Sequence, residues 1–218
     1  MSKKPPSLTE GKSPDELLER AYHVGDANDA LNLYRDWADT YDGHLVDDLG
    51  YVLPGRVAAV VAEHITDKST RVIDIGCGTG LTGQALVAQG FSTIDGLDFS
   101  PDMLVQAGAK NIYGALVEAD LTQKLDIASN TYAAAMSSGT FTEGHVGAEA
   151  FDEIFRILKP EGTFIASVNL EIWDEGGFGP KLESLTKAGT IAVEDVVKTI
   201  AFQGGGDHFH ILVVKKCR

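Results

Sequence analysis

The sequence is short of cysteine, of basic residues and of long apolar runs, and each shortage excludes something. Two cysteines in 218 residues are too few for a disulfide framework and point to a reducing compartment. Lysine and arginine number 18 against 32 aspartates and glutamates, a formal charge of −14. A nucleic-acid partner draws most of its non-specific affinity from neutralised phosphates, so this balance argues against one. It fits an acidic, soluble surface instead. No apolar run approaches the length of a membrane span and no leader pattern opens the chain, so a cytoplasmic protein with no membrane partner is expected. Residues 1–13 are polar and proline-containing and read as a flexible tail. Residues 14–218, with ample apolar content for one core, read as a single domain.

What is present is organised around Arg71-Val72-Ile73-Asp74-Ile75-Gly76-Cys77-Gly78-Thr79-Gly80. Val72, Ile73 and Ile75 have the β-branched composition of a buried parallel strand. Glycines follow at 76, 78 and 80, and Leu81–Val87 begins a helix. A strand, a glycine turn and a helix start offer bare backbone N–H groups to a ligand. Glycine suits such a turn because it admits close approach and positive φ. Gly78–Gly83 formally matches the dinucleotide pattern G-x-G-x-x-G, but out of phase. The glycine directly after the strand is Gly76, and counting from it the last required glycine falls on Leu81. Asp74 would also repel a pyrophosphate, whereas a ligand with a cationic end suits it. S-adenosylmethionine has an ammonium, a sulfonium and no phosphate.

Asp74–Gly80 resembles the first motif of class I S-adenosylmethionine-dependent methyltransferases, an acidic residue followed by G-x-G-x-G. Ser92–Ser100 resembles the second strand of that family, Val117–Leu121 the third and Tyr132–Gly139 the fourth. Arg156–Phe164 resembles the entry to the fifth, so the likeness runs from about Arg71 to the end of that strand. Within the superfamily, His23-Val24-Gly25, Leu33–Ala38 and Gly144-His145-Val146 are similar to the methyltransferase-like family encoded in the Williams–Beuren syndrome region. The resemblance implies an α/β fold: a Rossmann-like, seven-stranded, mostly parallel sheet with helices on both faces and an antiparallel carboxyl-terminal hairpin. In that arrangement Cys77 and Cys217 end on opposite faces, too far apart to bridge. It implies S-adenosylmethionine as cofactor, contacted by Asp74, Gly76, Cys77, Gly78 and Gly80 and by Asp98, Phe99, Ser100 and Met103. Ala119, Asp120, Leu121, Ser138 and Gly139 complete that set. Asp98, twenty residues after Gly78, takes the ribose hydroxyls, and Asp120 takes the adenine amine or else caps the turn Leu121-Thr122.

Around this unit, Ser13 and Pro14 start a helix running to Tyr22. A second helix, Ala27–Tyr41, collects Leu31, Tyr34, Trp37 and Ala38 on one side. That side packs on the core or serves as a lid, residues 14–45, whose Tyr34, Trp37 and Tyr41 face the sulfonium. Gly43–Leu53 reads as a connection and Pro54–His64 as a helix. The fourth strand is weak in β-formers at Ala133–Ala135, and Ser137–Thr142 reads as the loop after it. His145, ahead of a helix Gly147–Leu158, is the candidate catalytic base for a small methyl acceptor, with Glu143 in competition. Lys159–Gly162 is a turn, Thr163–Asn169 a strand, and Trp173–Gly179 an aromatic-bearing loop that lines an acceptor pocket or packs an edge. Val193–Phe202 and His208–Lys215 form a terminal hairpin. His208 and His210 share a face without a third ligand, so no metal is expected. Two other readings stand beside methyl transfer: a catalytically silent S-adenosylmethionine-binding protein, and an NAD-dependent oxidoreductase resting on the out-of-phase glycines alone.

Overall fold

The computed structural model describes residues 9–25, 27–143 and 146–217. Helix α1 (Pro14–Tyr22) is closed by a reciprocal cap, in which the Ser13 hydroxyl accepts from Glu16 N and the Glu16 carboxylate accepts from Ser13 N. Helix α2 (Ala27–Trp37) stops short of the expected Tyr41. The stretch expected as a plain connection instead contains a π-helical segment, Gly43–Asp48. That segment carries His44 to Trp37, whose indole Nε1–H donates to His44 Nδ1 at 2.9 Å. With Leu17, Ala21, Leu33 and Leu45, Trp37 forms a separate small core for this amino-terminal region. Helix α3 (Leu53–His64) follows, with Pro54 in its first turn where no N–H is missed.

The α/β unit comprises β1 (Val72–Ile75), α4 (Leu81–Ala88), β2 (Ile94–Asp98), α5 (Pro101–Ala109), β3 (Leu116–Glu118), β4 (Tyr132–Phe141), α6 (Ala150–Ile157), β5 (Leu158–Asn169), α7 (Phe178–Lys187), β6 (Ile191–Ile200) and β7 (His208–Lys216). The seven strands lie in the order β3-β2-β1-β4-β5-β7-β6. β7 runs antiparallel to both its neighbours, while the other pairs are parallel. Strand order reverses between β1 and β4, the point at which an open α/β sheet leaves a crevice at its carboxyl ends.

Strand pleating sends alternate β1 side chains to opposite faces. Ile73 and Ile75 join Phe151, Ile154 and Leu182 of α6 and α7 in one core layer. Val72 joins Val57 and Val61 of α3, Leu86 of α4 and Met136 of β4 in the other. Asp74 shares the Val72 side and is wholly buried there.

Two further sequence expectations change, and one left open between two alternatives falls to packing. β4 continues through Ser137 to Phe141, because Ser137 pairs with Ala166 of β5 and Phe141 with Val168, on either side of a register shift. β5 begins at Leu158, absorbing the expected turn. Trp173–Gly179 is not an open pocket loop. It leads into α7, whose first residue Phe178 is 0% exposed and packs edge-on to Phe141 at 5.8 Å. Trp173 lies edge-on to His210 at 5.0 Å. A ring buried in this way is worth several kcal/mol. Phe178→Ala should therefore lower unfolding stability by about 3–5 kcal/mol, read as a drop in the urea midpoint; a loss below about 1 kcal/mol would mark the ring as peripheral.

Candidate cofactor and acceptor site

A cavity of about 260 Å³ opens at the carboxyl ends of β1 to β4. Its floor is the glycine turn. Gly76 (φ +66°), Gly78 (φ +53°) and Gly80 (φ +93°) all take the left-handed backbone that glycine adopts at low cost. A Cβ on Gly76 would come to 2.2 Å from Thr140 Oγ1, so β4 packs directly on this residue. A Cβ on Gly78 would meet no protein atom within 4 Å; Gly78 lines the cavity, and bareness there leaves room for a ligand.

Asp98 closes β2 beside this turn. Its Oδ2 accepts from Gly78 N at 2.7 Å and its Oδ1 from Ser100 N at 2.8 Å. Ser100 in turn caps α5, accepting from Met103 N. Burial raises the Asp98 pKa, against the pull of the Ser100 and Gly78 amides. Each carboxylate oxygen still has an acceptor position to offer. Phe99, Ser100, Met103, Ala119, Asp120 and Leu121 continue the wall. Asp120 also fills the capping role, its Oδ1 accepting from Thr122 N and Thr122 Oγ1 at 2.8 and 2.7 Å. Ser138 and Gly139 line the far side, where the buried Ser138 Oγ faces the Tyr51 hydroxyl.

The roof comes from the amino-terminal region. Tyr34 and Tyr41 line the cavity with their rings edge-to-face at 6.2 Å. Tyr51, which the sequence reading passed over, lines it with them. Burial raises all three phenol pKa values, that of Tyr51 to about 12, so they stay neutral donors across the physiological range. The roof is fastened to the floor by Asp42, whose carboxylate accepts from Thr79 Oγ1 of the glycine turn and pairs with Lys110 Nζ at 2.6 Å. Gln106 of α5 donates to Asp39 at 2.7 Å beside it.

Of the residues singled out from sequence, Tyr34, Tyr41, Gly76, Cys77, Gly78, Asp98, Phe99, Ser100, Met103, Ala119, Asp120, Leu121, Ser138 and Gly139 surround one cavity. Three stand apart from it. Trp37 is wholly buried in the amino-terminal core, its N–H spent on His44. Gly80 backs onto the ring of Tyr113. Asp74 points beneath the turn, where its Oδ2 accepts from the Tyr113 hydroxyl at 2.7 Å. It is thus removed from the cationic contact expected of it. His145 lies outside the described residues. Ala30, Pro54, Thr79, Leu81, Thr82, Thr122, Thr140 and Val146 also line the cavity. Thr79 and Thr140 were legible only as neighbours of motif glycines.

These residues fit S-adenosylmethionine. The charged groups lining the cavity among the described residues are Asp98 and Asp120, both anionic. That suits a cationic ligand and opposes a pyrophosphate. Two free acceptor positions on Asp98 match a pair of ribose hydroxyls, and the open face of Gly78 leaves space beside them.

Seven strands in this order with a cavity at their carboxyl ends give the Rossmann-like fold of class I S-adenosylmethionine-dependent methyltransferases. Residues 72–162 match the family described as "Methyltransferase domain". The chain is similar to Methyltransferase-like protein 27 of Homo sapiens, 33% identical over 159 residues, which are 70% of this chain and 64% of that protein. It thus spans under two thirds of the relative's length. A shorter likeness, 38% over 71 residues, links it to the 18S rRNA (guanine-N(7))-methyltransferase of Bos taurus, over 33% of this chain and 25% of that one. Among solved structures, the fold is shared with a chain in the complex of the Haloferax volcanii Trm112 methyltransferase activator and a methyltransferase. The TM-score is 0.62 at 20% identity, covering 84% of this chain and 97% of that one.

Asp98→Ala should weaken S-adenosylhomocysteine binding, because it removes charge-assisted bonds worth about 1.5–3 kcal/mol each. Calorimetry returning the parent affinity would take Asp98 out of the ribose site. A second expectation concerns pH. Burial raises Asp74 to about 7 from its ordinary 3.8, with the Tyr113 hydroxyl pulling the other way. Its carboxyl is protonated in both folded and unfolded chains below about pH 4, and above about pH 7 the folded chain must bury a charge. Stability therefore falls as pH rises through that window, by up to about 4 kcal/mol. Asp74→Asn, which keeps an acceptor for Tyr113, should gain stability over the parent progressively across it. Equal gains at acid and alkaline pH would exclude titration of Asp74 as the cause.

Proposed function

We propose that this protein transfers the methyl group of S-adenosylmethionine to a small-molecule acceptor. The observation that carries the reading is Asp98, half-buried and held between the Gly78 and Ser100 amides at the edge of a cavity roofed by Tyr34, Tyr41 and Tyr51. When bound, S-adenosylmethionine supplies an activated methyl that an acceptor lone pair takes by direct displacement, so no nucleophilic side chain is required. The chain's own work is to bind, align and exclude water. Asp98 would hold the ribose hydroxyls, Asp120 and Met103 would receive the adenine, and the tyrosine rings would lie towards the sulfonium. His145 immediately precedes the cavity-lining Val146 in sequence, and its imidazole suits removal of the acceptor's proton as the methyl arrives.

A small acceptor is favoured over RNA, despite the partial likeness to an rRNA methyltransferase. The formal charge of −14 opposes a polyanion, and two of its carboxylates, Asp98 and Asp120, line the cavity itself. Both cysteines are free, which suits the reducing cytoplasm.

The test begins with calorimetric titration of S-adenosylhomocysteine and NADH, where only the first should bind. A metabolite panel screened by mass spectrometry for S-adenosylhomocysteine release then finds the acceptor. With that acceptor, His145→Ala should lower turnover while leaving S-adenosylhomocysteine affinity nearly unchanged. Binding of NADH in preference would reassign the domain to redox chemistry. Tight cofactor binding without turnover on any acceptor would make it a sensor.

A further inference from the structure

The glycine turn has a back as well as a front, and the back is occupied by one side chain. Tyr113 follows α5, in the link to β3, and its ring passes beneath the turn. A Cβ on Gly83 would come to 2.3 Å from its hydroxyl and 2.6 Å from its Cζ. A Cβ on Gly80 would lie 3.0 Å from its Cε2, and one on Gly96 of β2 would lie 3.2 Å from its Cδ1. Three glycines, from the turn, helix α4 and strand β2, thus form a slot that their missing side chains leave open. At the end of the slot the Tyr113 hydroxyl donates to Asp74 Oδ2 at 2.7 Å. The other oxygen of that wholly buried carboxylate, Oδ1, has no hydrogen-bond partner.

We propose that Tyr113 is the positioning residue of the cofactor turn: its ring sets the height of the turn above β1 and β2, and its hydroxyl fixes Asp74 beneath it. Gly80 and Gly83 are then glycines for the sake of this ring, while Gly76 and Gly78 face β4 and the ligand. The proposal rests on the cofactor reading above. It gives Asp74 an indirect part in binding, through its negative charge below the turn that receives a cationic ligand. The groups facing Asp74 are the Tyr113 hydroxyl, the Gly83 amide on α4, Asp98 at the end of β2 and the Cys77 thiol. Lys110 approaches Gly80 from α5, but its ammonium is held by Asp42. Loss of the Tyr113 hydroxyl removes one of the two contacts that favour the ionised carboxyl, so Asp74 would lose its charge at a higher pH.

Two sets of variants test this. Tyr113→Phe keeps the ring and removes the hydroxyl. S-adenosylhomocysteine affinity should fall roughly threefold or more, and its decline toward acid pH should begin at a higher pH than in the parent. A ring with a purely structural role would lower the melting temperature and leave that profile in place. An unchanged affinity and profile in Tyr113→Phe overturns the role given to the hydroxyl. For the slot, Gly83→Ala should weaken binding and lower the melting temperature in the parent and cost far less in a Tyr113→Ala background, a non-additive pair. Additive losses overturn the slot. If Gly83→Ala alone fails to fold, recovery of a folded protein in the double variant supports it, and failure of both variants to fold overturns it. Parent protein that binds no S-adenosylhomocysteine overturns the cofactor reading, while the melting temperatures of the same variants judge the slot independently.

Discussion

Much of the site depends on one half-buried carboxylate. Asp98 takes an amide from the glycine turn with one oxygen and an amide from the start of α5 with the other. It thereby holds two loops in register that the sheet alone would leave independent. Removing a carboxylate from water costs several kcal/mol. Two charge-assisted bonds of roughly 1.5–3 kcal/mol each offset much of that, not all, and the upward direction of the Asp98 pKa says burial still prevails. A further pair of hydroxyl donors would favour the ionised form, which couples ligand binding to the order of both loops.

The roof is tied to this frame by charge and by packing. Asp42 reaches the glycine turn through Thr79 and α5 through Lys110, while Trp37, Leu33 and Leu17 give the amino-terminal helices their own apolar core. An exposed ion pair is worth little by itself. Lys110 is mostly covered, with 18% of its side chain accessible, and Asp42 makes two contacts at once. The amino-terminal region is therefore positioned by polar contacts at the cavity and by hydrophobic burial behind it. Such a division lets the cavity edge open locally without loss of the small core.

How far this was legible in the sequence can be followed residue by residue. The short β-branched run Val72–Ile75 with its glycines announced strand, turn and helix start, because both composition and backbone demands pointed the same way. Asp98 was legible from its spacing, and Ser100-Pro101 from cap chemistry. The course of β4 past Ser137 was not, since serine, glycine and threonine have loop composition, and the strand resumes its pairing with β5 only at Phe141, beyond a bulge in which Gly139 takes positive φ. Phe178 was read as a loop aromatic because glycines surround it; tertiary packing against Phe141 and Phe151 overrode that local signal. Tyr51 lay in an apparent connection, and its one legible sign was an aromatic shortly ahead of the helix-starting Pro54. Tyr113 left no local trace at all, since its role exists only where Gly80, Gly83 and Gly96, all remote from it in sequence, meet its ring.

Asp74 lies one residue before the end of β1 and Asp98 ends the adjacent parallel β2, paired with Gly96 and Glu118 respectively, and the same motif logic assigned both to the ligand. Their surroundings divide them. Asp98 stands at the cavity wall with amides on either side. Asp74 is buried with a phenol for company, on the face that packs against α3 and α4. The glycines divide in the same way: Gly76 is bare for Thr140 and Gly78 for the cavity, while Gly80 and Gly83 are bare for Tyr113. A glycine-rich turn after a strand is thus the sum of two packing demands, one from the ligand side and one from the protein's own interior. Only the first of these speaks to which ligand binds. The density of glycine in such a motif consequently overstates how much of it touches the cofactor. The out-of-phase match to a dinucleotide fingerprint follows from this, because Gly83, its last member, answers to a ring inside the protein.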